Sequence, residues 1–144
     1  MNGVGLESEG ARRLVQLALE GSGYSKWIGV RLRSFAAGTV EIELDLRPDL
    51  TQHHGQAHGA VIGYLADTVS AWAAASLGGD VVTAEYKLNF LTAARGEVLW
   101  ARGEVLRAGK RQAVVRSDVY SLRGEEQTHV ATALATIAVI GPRN

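Results

Sequence analysis

The stretch TVEIELDLR alternates without a break: Val40, Ile42, Leu44 and Leu46 point one way, and Thr39, Glu41, Glu43, Asp45 and Arg47 the other. Successive side chains of a strand project to opposite faces, so this pattern predicts a half-buried strand that Pro48 and Asp49 then stop. A rougher alternation precedes it in WIGVRLRSF and ends at Ala37 and Gly38, which suit a hairpin turn. Four more strand-like runs lie in the second half: VVTAEYKLNF, EVLWARGEVLR, QAVVRSDVYSL and THVATALATIAVI. In the first of these Val82, Ala84, Tyr86, Leu88 and Phe90 are expected on one face, with Thr83, Glu85, Lys87 and Asn89 opposite. AGK and RGEE separate the last three and have the chemistry of tight turns. Connections this short require antiparallel pairing. Near the N-terminus, apolar residues at 14, 15, 17, 18 and 19 predict an amphipathic helix over 9–20, with Ser8 as its cap.

Between the two groups of strands the period changes. Residues 59–77 read as one helix, apolar nearly all round, and such a helix must be surrounded. The economical arrangement is α+β: a curved antiparallel sheet wrapped around one long central helix, the hotdog fold. An open sheet with the helix lying on it would leave one helix face wet, and no wet face is evident. The 144 residues fit one domain spanning 1–144, with no internal repeat and no linker.

Fifteen basic residues balance fifteen acidic ones, so the whole-chain field attracts neither nucleic acid nor an anionic bilayer. The absence of cysteine removes disulfides, thiol nucleophiles and thiolate metal sites. MNGVGLESEGARR lacks the layout of a signal peptide, so a cytoplasmic location is expected. Residues 60–79 are long enough to span a membrane, but Asp67 near their middle would cost about 2.5–3.5 kcal/mol on insertion scales.

That aspartate is the chemical question. Asp67 is the sole Asp, Glu, Lys or Arg between Asp49 and Asp80, and a carboxylate in apolar surroundings is costly unless it is paired, hydrogen-bonded or useful. On the residues alone, a catalytic acid and a hydrogen bond inside the core both stay open. The Gly59 N–H, at the expected helix start, is a donor on the positive end of the helix dipole. Glycines 55, 59 and 63 lack the G-K-[ST] ending of a phosphate loop, so close packing explains them better. His54 and His58 stand four apart, but there is no H-E-x-x-H and no third ligand, so no metal is expected. Trp27, Trp72 and Trp100 are expected in the core or at a subunit interface.

The runs HHGQAHGAVIGYLADTVSAWAAA, VTAEYKLNFLTAARGE and VLRAGKR together resemble the PaaI-like branch of the hotdog-fold acyl-CoA thioesterases, over about residues 38–140. In that branch the helix opens with a pattern of the form G-x-x-H-G-G, followed by an acid eight positions past the first glycine of the pair. Gly59 and Asp67 match it; Ala60 departs from it, standing where the second glycine is usual. The resemblance implies hydrolysis of acyl-CoA thioesters, with Asp67 as nucleophile or general base and the Gly59 N–H polarising the carbonyl. It further implies a polar amide before the helix, which Gln52 matches by spacing with His53 and His54 as neighbouring candidates, and a hydroxyl that holds water, which Thr83 matches. No cofactor is implied beyond the coenzyme A of the substrate. An enoyl-CoA hydratase of the same fold would ask for an Asp–His pair, for which His58 is the candidate, and a non-catalytic acyl-CoA-binding domain would bind without turnover.

Spacing adds a constraint. Eight residues separate Gly59 from Asp67, about 12 Å along a helix. One carbonyl cannot touch both, so if both act on one thioester they come from different chains. A homodimer with shared sites follows, with Gly59, Gly63, Ala66 and Ser70 permitting close approach of two helices, and a further pairing into a tetramer is expected. For the phosphates of coenzyme A, Arg107, Lys110 and Arg111 in the RAGKR turn are the first candidates and Arg95 the second; the ordinary alternative for all four is solvated surface.

Overall fold

A computed structural model describes residues 3–141. The chain forms helices α1 (Gly3–Gly21) and α2 (Gly23–Ile28), strands β1 (Arg31–Ala36) and β2 (Thr39–Asp45), helix α3 (Gly59–Ala75), and strands β3 (Val81–Phe90), β4 (Val98–Ala108), β5 (Gln112–Arg123) and β6 (Glu126–Val139). All six strands join one sheet in the order β1-β2-β4-β5-β6-β3, every pair antiparallel. β3 crosses to the far edge and pairs with β6, leaving its other side free. This is the curved antiparallel sheet around a central helix expected of the hotdog fold.

α3 packs on the concave face. Its Leu65 and Val69 are fully buried, as are Val40, Ile42 and Leu44 of β2, the inward set of the alternation. Each such side chain contributes about 1.5–3 kcal/mol on leaving water. The helix approaches the sheet closely because the row beneath it is small: Gly103 pairs with Ser117, and Ser117 with Ala133. A side-chain carbon at Gly103 would stand 2.6 Å from the Val69 carbonyl oxygen, so the helix backbone rests on bare sheet at that point.

Several expectations are corrected. α1 starts at Gly3, so Ser8 lies inside the helix and is not its cap; no proline interrupts the preceding residues. Trp27 and Ile28 belong to α2 and not to the approach to β1. Ser22 caps that helix by accepting from the Ser25 N–H at 3.2 Å, and Gly29 closes it in the left-handed conformation at φ 80°. Arg47 then holds it down, donating to the Trp27 and Ile28 carbonyls at 2.9 Å each while pairing with Asp49 at 2.7 Å. Trp72 and Trp100 are buried; Trp27, 56% exposed, is outside the core of the chain, which leaves the subunit-interface expectation for it untouched.

α3 ends at Ala75, and its surroundings are not closed. Ala60, Tyr64, Asp67, Thr68, Ala71 and Ala75, which share one side of the helix, remain partly or fully exposed, while Gly63, Ala66 and Ser70 are buried within the chain. The open strip is therefore not the small-residue set expected to meet a second helix.

Candidate active site

The loop before α3 places the first components. It closes on itself through a Thr51–Ala57 bridge and the Gln52 N–H to the Gln56 carbonyl at 2.8 Å, with Gly55 turning at φ 79°. This brings Gln52 back beside Gly59, where both line a groove of about 310 Å³ with Gln56, Ile62, Phe90 and Leu91. The Gln52 Oε1 accepts from the His54 N–H, so its amide NH2 is the part left to donate. His53 and His54 are exposed at the loop tip, their rings 4.0 Å apart, and among the described residues no three His, Cys, Asp or Glu converge as a metal site would require.

His58 is the N-cap of α3. Its Nδ1 accepts from the Ala60 N–H at 3.0 Å, which fixes the proton of the neutral ring on Nε2. One of the first-turn donors is thereby satisfied, and no acceptor among the described residues takes the Gly59 N–H. The ring is engaged at the helix opening, about 13.5 Å along α3 from Asp67, so His58 and Asp67 do not pair within one chain. Ala60 is exposed.

Two turns further along α3, Asp67 is half-buried, and its Oδ1 accepts from Thr83 Oγ1 at 2.6 Å. The unbroken alternation places Thr83 on the face opposite Tyr86 and Phe90, and the structure overturns this. The β3–β6 register slips between Thr83 and Glu85, with Ala84 as the extra residue. A bulge re-aims the side chains before it. Thr83 thus joins Tyr86 and Phe90 in facing α3, while Val82 turns outward to solvent and Glu85 accepts from Thr136 on the outer face. Oδ2 of Asp67 has no hydrogen-bond partner among the described residues.

Tyr64, one turn before Thr68, completes the strip. Its hydroxyl lies 2.7 Å from Ser25 Oγ of α2, and its ring packs against Tyr24 at 5.1 Å. Burial pushes the phenol above its ordinary value, with the bonds to Ser25 and Thr68 pulling the other way. No sequence signal pointed to this contact, since α2 itself was not expected.

The cationic candidates fall into two places. Arg107, Lys110 and Arg111 line an open groove at the β4–β5 turn, and none has an acidic partner among the described residues, whereas Arg31, Arg33, Arg47, Arg102 and Arg116 are all paired. The register aligns Ala113 with Ile137 and Ile137 with Thr83, so this turn is at the Asp67 end of the sheet, about 10 Å across two strand spacings. Arg95 is at the other end. It lines a small cavity with Ser121 and Arg123, its carbonyl accepting from Arg123 Nη2 at 2.6 Å, and Ala93 is common to this cavity and the Gly59 groove. No helix among the described residues is long and apolar enough to cross a membrane.

The sequence and the fold have counterparts in known proteins. An esterase-named protein of Deinococcus radiodurans is 32% identical over 120 residues, which cover 83% of this chain and 80% of the relative. Among solved structures, a thioesterase family protein of Silicibacter pomeroyi superimposes with a TM-score of 0.88 at 29% identity, covering 92% of this chain and 99% of its own. The PaaI protein of the E. coli phenylacetic acid degradation operon matches in fold with a TM-score of 0.86 at 23% identity, over 94% and 97% of the two chains. A hypothetical thioesterase of Streptococcus pneumoniae, solved with coenzyme A, matches at 28% identity and a TM-score of 0.72, over 80% and 88%. Residues 54–128, which run from the loop before α3 through β3, β4, β5 and the start of β6, match the model of the thioesterase superfamily, and to that family the chain belongs.

Proposed function

We propose that the protein hydrolyses acyl-CoA thioesters at sites shared by two copies, each combining Asp67 of one copy with the Gly59 N–H of the other. The observation that carries this reading is the state of Asp67: one carboxylate oxygen is held by Thr83 at 2.6 Å, and the other is unclaimed beside the open strip of α3. Thr83 donates its one proton to Asp67 and keeps lone pairs that can accept from water. A water molecule bridging Thr83 Oγ1 and Asp67 Oδ2 would have both protons engaged and a lone pair free.

In this reading Asp67 is the general base. It takes a proton as the water oxygen bonds to the carbonyl carbon, and the charge that develops on the carbonyl oxygen falls to the Gly59 N–H, with the Gln52 amide beside it. Collapse breaks the carbon–sulfur bond, and the proton held by Asp67 passes to the departing thiolate. His58 acts one step removed, keeping the Ala60 N–H occupied and the first turn of α3 in place. Arg107, Lys110 and Arg111, without an acidic partner among the described residues, bind the phosphates of the coenzyme A, and Arg95 is the second candidate. The coenzyme A bound by the Streptococcus pneumoniae protein supports a ligand of this class.

A panel of acyl-CoAs assayed for free thiol tests the reading. Release from at least one, abolished by Asp67→Ala, is the expected result; no release from any, or full activity in the variant, overturns it.

A further inference from the structure

α3 and β3 run alongside each other with matched steps. Gly59, Gly63 and Asp67 recur at intervals of four, and each faces one residue of β3. A side-chain carbon on Gly59 would stand 3.1 Å from Phe90 Cζ, one on Gly63 would stand 3.3 Å from Tyr86 Oη, and Asp67 accepts from Thr83. Gly59 does not have positive φ, so space and not backbone conformation limits a side chain there, and the phenyl ring would have to give by a few tenths of an ångström to admit one. Yet Phe90 is 59% exposed. The floor of the groove near the helix opening is fixed, because Ala57, Ile62 and Ala94 are buried in the core, whereas Phe90 and Leu91 are exposed on its rim. Phe90 is a solvent-exposed wall of the groove in contact with Gly59, whose N–H has no acceptor among the described residues.

We propose that Phe90 is a specificity-determining residue whose ring packs against the carbon next to the thioester carbonyl, admitting unbranched acyl groups and hindering those branched or ring-bearing at that carbon. The inference rests on the reading of Gly59 as the donor to the carbonyl. An oxygen about 2.7–3.1 Å from the Gly59 nitrogen puts the first atoms beyond the carbonyl within reach of the ring. In an apolar pocket one methylene changes discrimination by about 10- to 200-fold, so a ring at this distance is sufficient to select.

The test compares wild type with Phe90→Ala, Phe90→Leu and Phe90→Trp. For each, kcat/KM is measured with butyryl-CoA, isobutyryl-CoA and benzoyl-CoA. Dissociation constants for the matching non-hydrolysable thioethers are measured in an Asp67→Asn background. The ratio of branched or aryl to unbranched substrate is expected to rise about tenfold in the alanine variant, less in the leucine variant, and to fall in the tryptophan variant, with binding ratios in the same order. If the alanine variant does not fold, the leucine and tryptophan variants carry the comparison in opposite directions. Ratios that stay constant while wild type cleaves or binds these compounds overturn the role of Phe90 alone, as does a loss equal for all substrates. Failure of wild type to cleave or bind any of the three overturns this inference, and failure to cleave any member of the wider acyl-CoA panel overturns the thioesterase reading as well.

Discussion

Thr83 Oγ1 donates to Asp67 Oδ1 across 2.6 Å, and the contact exists because one extra residue, Ala84, is accommodated in β3. Without the slip Thr83 would lie on the outer face of the sheet, and the carboxylate would have no donor among the described residues. The bulge thus connects strand register to the state of the acid.

Thr83→Val tests that connection. Valine keeps the β-branched shape and the strand but leaves Asp67 without its hydrogen bond, and a bond to a charged group contributes about 1.5–3 kcal/mol. The expected outcome is a fall in kcat of about 10- to 100-fold with little change in KM. Thr83→Ser, which retains the hydroxyl, should restore most of the rate. Equal kcat in the valine and wild-type proteins would remove Thr83 from the site.

A pair of substitutions at Gly59 isolates one N–H. Proline is tolerated at the first helical position, and His58 already has the extended backbone (φ −63°, ψ 140°) that a following proline requires. Gly59→Pro therefore deletes the donor without breaking α3. Gly59→Ala brings the same crowding against Phe90 but keeps the N–H. The proline variant is expected to fall below the alanine variant in kcat by about 10²- to 10³-fold, the usual cost of an oxyanion donor. Mixing the proline variant with Asp67→Asn protein should return partial activity, because each mixed dimer retains one intact site. Verified subunit exchange with no recovery would contradict shared sites.

How far these features could be read in advance follows from what each depends on. The strands β2, β4, β5 and β6 and the helix α3 declare themselves through periods of two or through sustained apolarity, and their turns through Gly38 and Gly124, both with positive φ. Asp67 stands out because it is a lone charge in an apolar run. The bulge at Ala84 does not, since VVTAEYKLNF alternates as cleanly as an unbroken strand and the slip is imposed by pairing with β6. α2 is six residues long, too short for a period to show, and is held by Arg47, about twenty residues away. The free N–H of Gly59 depends on the orientation of the His58 ring, and the open strip of α3 on where a single sheet stops curling. Properties set by tertiary contact leave little local trace.

The β4–β5 turn carries a prediction about binding. Replacing Arg107, Lys110 and Arg111 together by glutamine should raise KM for acyl-CoA about tenfold and leave kcat nearly unchanged, because the phosphates are remote from the reacting carbon. Added salt should raise KM in wild type and do so less in the variant, as screening weakens exposed charge pairs. Arg95→Gln is the comparison: if it alone produces the change in KM and in salt dependence, the phosphates lie at the Gly59 end of the same chain.

Tyr64 makes stability depend on pH in the alkaline range. Burial raises its pKa above 10.0, so the fold favours the neutral phenol. The contribution is complete below the unfolded value, near pH 10, and is lost as pH climbs through the higher folded value; nothing changes at neutral pH. Tyr120, whose pKa is also raised by burial, contributes to the same decline, so removing Tyr64 should flatten only part of it. Tyr64→Phe also deletes the bond to Ser25, which is buried, and should lower stability by about 0.5–1.5 kcal/mol at neutral pH. Urea unfolding of both proteins, followed from about pH 7 to about pH 11, separates the two effects: an offset at neutral pH that narrows at the alkaline end. Curves that stay parallel throughout would mean that the Tyr64 phenol reaches solvent, and that α2 does not hold its place over the helix strip beside Asp67.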